Sequence, residues 1–148
     1  MENKIQVKSL KLVNEQALDM DNKVTNTAKI FECARFLGHN LRGQEYLYLY
    51  CLDNCNNINC IALLGIGTTN MINVDFKVIF QYAILSNSSK IIMVHNHPSG
   101  SLEPSKEDIK MAKSLYQACN IMGIELLDNI IITENNFVSY QKGVEKNG

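Results

Sequence analysis

Residues 91–94, Ile-Ile-Met-Val, are apolar without a break, and they run directly into His95-Asn96-His97-Pro98. Side chains in a strand alternate between its two faces, so an unbroken apolar run must be covered on both sides. This strand therefore belongs inside a sheet, with helices packed against it. The same run predicts where polar chemistry emerges. His95 and His97 are separated by one residue, so they project from one face if the strand persists, and Pro98 and Gly100 then turn the chain sharply. Two of the three histidines in the chain stand here.

The remaining pattern is consistent with that strand. Residues 5–13, IQVKSLKLV, read as an early strand. Thr25 or Asn26 caps a helix through about Leu37, with Ile30, Phe31, Ala34 and Leu37 at helical spacing and Gly38 as its stop. EYLYLYCLD (45–53) and INCIALLGIG (58–67), joined by NCNN, read as a hairpin. VDFKVIFQYAILSN (74–87) carries Phe76, Ile79, Phe80, Ala83 and Ile84 as a helical stripe. Ser105 opens a helix to about Met122, where Gly123 ends it. IELLDNIIIT and FVSYQ supply closing strands. Interleaved strands and helices with one hairpin predict an α/β fold, a mixed sheet flanked by helices.

The chain has 148 residues, 46% hydrophobic and 20% charged, which suits one domain with a substantial core. No apolar run approaches the roughly 20 residues of a membrane span, and the first residues lack the apolar stretch of a secretory signal. Five cysteines without a CxxC pair predict reduced thiols in a cytoplasm. Cys51, Cys55 and Cys60 match no common zinc spacing and read as small buried residues. A formal net charge of −1 supplies no general attraction to DNA. Tyr46, Tyr48 and Tyr50 alternate on one strand face. A packed face or a partner surface explains them better than a stacking platform for single-stranded nucleic acid. His39, after a helix, is expected at the surface.

Two co-facial imidazoles can hold one metal at about 2.0–2.1 Å per nitrogen. A carboxylate from the next helix can join them across the turn. Asp108 is placed for this, and spacing alone does not rank it above Glu103 or Glu107. Ser105-x-x-Asp108 by itself reads as a helix cap. Two histidines, one carboxylate and an open position describe a catalytic zinc better than a structural one, which fills all four positions with protein ligands.

HNHPSGSLEPSKED (95–108) resembles the JAMM (MPN-plus) metalloprotease motif, H-x-H followed by S-x-x-D, in its RadC-like form. EYLYLYCLD, the hairpin, the helix in VDFKVIFQYAILSNSSK, IIMVHNHPSG and GIELLDNIII follow in the order of the RadC domain, from about residue 25 to 140. The resemblance implies a fold like that of cytidine deaminases. It implies one zinc per chain on His95, His97 and Asp108, Glu45 as general base, and Ser105 as stabiliser of the reacting carbonyl oxygen. Without it, Glu45 reads as an ordinary glutamate at a strand edge. The implied activity is zinc-dependent hydrolysis of peptide or isopeptide bonds in a peptide or protein substrate. The competing expectation is a DNA-repair or recombination accessory whose metal is structural or acts on nucleic acid. Two departures bear on the choice. About two dozen residues precede the resemblance, too few for the helix-hairpin-helix region usual in RadC proteins. Asp128-Asn129 also stands where the family tends to have Asp-His.

Overall fold

The computed structural model describes residues 5–7, 9–67 and 74–145. Its elements are α1 (Thr27–Phe36), a 3-10 turn (His39–Leu41), β1 (Glu45–Leu52), β2 (Ile58–Gly67), α2 (Phe76–Leu85), β3 (Lys90–Asn96), α3 (Lys106–Met122), β4 (Glu125–Ile132), β5 (Phe137–Ser139) and α4 (Gln141–Glu145). The strands form one mixed sheet in the order β2-β1-β3-β4-β5. β3 is central, antiparallel to β1 and parallel to β4. The parallel pairing follows from chemistry along the chain, because α3 lies between β3 and β4 and carries the crossover that a parallel pair requires.

Both faces of β3 are covered. On one, Ile92 and Val94 join Tyr48, Tyr50, Leu52, Ile130 and Ile132 beneath Ile30, Phe31 and Ala34 of α1. On the other, Ile91 and Met93 join Leu47, Leu49 and Leu126 beneath Ile79 and Ala83 of α2 and Leu115 and Cys119 of α3. His95 continues the second face, so the two histidines emerge on the side where α3 begins. Asn26 caps α1 through its side chain, which accepts from the Lys29 N–H at 3.0 Å. Gly38 and Gly123 end α1 and α3 in left-handed conformations, with φ of 73° and 69°.

Several expectations are corrected. None of the described residues of 5–13 forms a strand, and Ile5, Val7, Leu10 and Val13 are exposed. Their apolar positions change phase between Val7 and Leu10, so no single strand face is continuous. Sheet-like pairing first appears as an isolated bridge between Lys23 and Asn57. Ile84 faces solvent, because α2 buries only the narrower stripe of Ile79 and Ala83. The last strand stops at Ser139, and residues 141–145 turn into a short helix. His39 is buried, not superficial, and its ring stacks on Tyr48 at 3.6 Å between centroids. Burial lowers the His39 pKa to about 4, aided by the charge of Arg42. Tyr48 and Tyr50 are core residues with Tyr46 packed against them, so this strand face is filled.

The candidate metal centre

Three segments meet at the end of β3. His95 is the penultimate residue of the strand, and His97 extends its course by donating its backbone N–H to Ile132 at 2.9 Å. The chain then turns, with the Gly100 N–H bonded to the His97 carbonyl and Gly100 at a φ of 84°. Pro104 disfavours helix at Glu103, so the helix starts only after Ser105. Ser105 Oγ accepts from the Asp108 N–H at 3.0 Å, and Asp108 Oδ2 accepts from the Ser105 N–H at 2.8 Å. This reciprocal cap aims the Asp108 carboxylate inward. Glu103 and Glu107 are exposed while Asp108 is fully buried, so the fold selects among the three carboxylates.

The donor atoms converge. His95 Nε2 and His97 Nε2 stand 3.0 Å apart, and Asp108 Oδ2 lies 3.3 Å from each. Ligands about 2.0–2.1 Å from a tetrahedral ion are separated by about 3.3 Å, so this triangle fits one such ion. The His97 ring donates Nδ1–H to the Ser101 carbonyl at 2.9 Å, so Nε2 is the nitrogen that could ligate a metal once it gives up its proton. Among the described residues, His95, His97 and Asp108 form the one cluster of three such side chains able to hold a metal. Cys51 and Cys60 face each other across the hairpin, and of the three only Cys51 is fully buried; Cys55 is exposed, contrary to expectation, because it lies in the turn, so these thiols do not converge as a set.

The electrostatics suit a cation. Burial would raise the Asp108 carboxyl pKa, but hydrogen bonds from both histidines and from the Ser105 backbone outweigh it and hold the group far below the ordinary carboxylate value. Burial would lower His97, yet Asp108, the Ser101 carbonyl and Glu45 together raise it. Glu45 opens β1 and places Oε1 3.7 Å from His97 Nε2, beside the cluster and outside its triangle. Ser105 lies in the same turn through its bonds with Asp108. The structure thus brings together all five residues singled out in the sequence.

Two neighbours carried no sequence signal. Tyr140 sets its ring edge-on to His95, 6.2 Å between centroids, and lies forty-odd residues away in the chain. Asn96 sits between the two histidines and is 1% exposed, with its side chain on the opposite face. Its spacing alone shows only that it points away from the metal side. Asn129 is part of another contact: its amide donates to Gln141 Oε1 at 2.6 Å, tying β4 to α4.

A family model described as the RadC-like JAB domain matches residues 18–146. A UPF0758 protein of Finegoldia magna is 41% identical over 100 residues, which cover 68% of this chain and 45% of that protein. A UPF0758 protein of Shouchella clausii is 38% identical over 113 residues, covering 75% and 49%. One from the archaeon Methanosarcina barkeri is 38% identical over 96 residues, covering 65% and 42%. The chain therefore spans less than half the length of these relatives. The mixed sheet, the buried His-His-Asp cluster at the end of its central strand and the match across nearly the whole sequence lead to one assignment: the chain belongs to the RadC-like JAB domain family.

Proposed function

We propose that this chain is a zinc-dependent hydrolase of peptide or isopeptide bonds, with His95, His97 and Asp108 as the metal ligands. The observation that carries the reading is the triangle of donor atoms at 3.0–3.3 Å with a separate carboxylate, Glu45, 3.7 Å from one corner. Two imidazoles and one carboxylate leave one position open, the arrangement of catalytic zinc sites. A zinc ion held by His95, His97 and Asp108 would supply a water acidic enough to attack near neutral pH and a Lewis acid for the substrate carbonyl.

The protein's own groups do the rest. Glu45 accepts the proton of the attacking water and delivers it to the leaving nitrogen. It stands outside the ligand triangle, 3.7 Å from His97 Nε2, the position of a proton carrier and not of a ligand. The Ser105 hydroxyl uses a lone pair to cap α3, which leaves its single proton to donate to the developing oxyanion. Asp108 would stay ionised as a metal ligand, and its Oδ2 also accepts from the Ser105 N–H.

The substrate class is a peptide or a protein carrying an isopeptide bond. Five free thiols suit a reducing compartment, and we place the chain in the cytoplasm on that ground. No helix among the described residues is long and apolar enough to cross a membrane.

Zinc-loaded protein screened against peptide and isopeptide libraries, beside a nuclease panel, tests the reading. Glu45→Gln should keep its zinc and fold while losing about 10²–10⁴-fold in turnover, the range for loss of a general base. Retained zinc with near-normal turnover would sink the mechanism, and zinc loss would make Glu45 a ligand. Nuclease activity, or DNA binding that weakens with salt at physiological ionic strength, would instead favour a role on nucleic acid.

A further inference from the structure

Glu45 lies fifty residues before His95, and its position depends on what holds the first residues of β1. The β1–β3 ladder runs from Leu52↔Lys90 to Leu47↔His95 and stops there. Beyond that point the two strand ends are joined by a side chain. Asn96 Oδ1 accepts from the Tyr46 N–H at 2.7 Å. Asn96 Nδ2 donates to the Gln44 carbonyl at 2.8 Å and to the Arg42 carbonyl at 3.3 Å. The Gln44 carbonyl belongs to the peptide before Glu45, and the Tyr46 N–H to the peptide after it. One buried carboxamide therefore fixes both peptide planes that flank the Glu45 Cα.

We propose that Asn96 is a positioning residue for Glu45: it couples the strand that presents the two histidines to the backbone that presents the carboxylate. Its neighbours in the chain, His95 and His97, point to the metal side, so a shift of this strand end would move ligands and carboxylate together. The chemistry requires a primary amide. An acceptor and two donors on one short planar group match one N–H and two carbonyls. Aspartate keeps an acceptor for Tyr46 but has no N–H for either carbonyl. Leucine has the size and none of the bonds. The group is buried, so a lost partner is not replaced cheaply by water.

The inference rests on the reading that Glu45 acts at this site, and its test separates the two. Asn96→Ala and Asn96→Asp are prepared with zinc and compared with the parent chain. Three properties are measured: zinc content, amide hydrogen exchange at Tyr46, and the Glu45–His97 separation in crystals. In Asn96→Ala, Tyr46 exchange should quicken at least tenfold and the separation should lengthen, while about one zinc per chain is retained. In Asn96→Asp, the Tyr46 amide should stay protected while the separation still lengthens. Turnover should fall in both, and Asn96→Ala should add no further loss when built on Glu45→Gln. An unmoved Glu45 carboxylate in both variants would overturn the proposal, as would loss of zinc, which would make Asn96 a support for the ligands. If Asn96→Ala does not fold, Asn96→Asp decides by the same separation. Full turnover in Glu45→Gln would defeat the mechanism and not the positioning, because the displacement is read without any substrate.

Discussion

Asp108 Oδ2 serves two structures at once. It accepts the Ser105 N–H that completes the helix cap, and it faces both imidazole nitrogens. Ser105 shares the double duty, since its hydroxyl caps the helix beside the reaction site. Ser105→Asn separates the roles, because asparagine caps about as well as serine. Its melting temperature should hardly move while turnover on an identified substrate falls, and unchanged turnover would leave Ser105 a cap only. His97 gives a pH prediction for protein stripped of metal. Its pKa is raised in the fold above the ordinary 6.5, so the stability it contributes is full below about 6.5 and is lost as pH rises through the raised value. Asp108 acts at the other end: its carboxyl is depressed, so its contribution is full above about 3.9 and is lost on acidification below that. Thermal melts of the stripped protein should therefore decline on both sides of a mildly acidic optimum. With zinc the alkaline decline should vanish, because the metal binds the neutral imidazole. An alkaline decline unchanged by zinc would remove His97 from the ligand set.

The helices and strands do separate work in presenting the centre. β3 supplies rigidity, being buried on both faces, and α3 supplies a capped first turn that ends near the strand. α1 is remote from the metal, and its contribution is to cover the opposite face of the sheet through Ile30, Phe31 and Ala34. Its N-cap is consequently a clean test of stability without chemistry. Asn26→Ala should cost about 1 kcal/mol in denaturant unfolding and leave zinc content unchanged. A loss of zinc there would show that the two faces of the sheet are coupled. At this scale much was legible in the sequence. Asn26, Gly38, Ser105 and Gly123 mark helix ends by local chemistry, and the ends fall where those residues predict. The strand expected at 5–13 is absent among the described residues there, since the apolar positions change phase between Val7 and Leu10 and offer no continuous face. His39 likewise follows a helix in sequence, and only the packing of Tyr48 against its ring buries it.

Across the whole molecule, metal binding would link segments distant in sequence, since β3 and α3 contribute ligands to one point. Zinc should thus stabilise the fold, by about 2.7 kcal/mol at a free concentration one hundred times its Kd. His95→Ala should abolish that increment in thermal or denaturant unfolding, and an undiminished increment would place the zinc elsewhere. The sequence by itself determined the pieces whose chemistry is local. A doubly apolar strand had to lie inside a sheet, two histidines one residue apart had to share a face, and Ser105 and Asp108 three apart had to cap one helix turn. The tertiary structure decided what no spacing encodes. It chose Asp108 over Glu103 and Glu107, because only the third residue into the helix faces inward from a reciprocal cap. It brought Glu45 to the cluster by pairing β1 with β3, and it set Asn96 across the gap where that pairing stops. Those outcomes depend on strand register and on which face each helix covers, and both arise only when residues fifty apart are packed into one sheet.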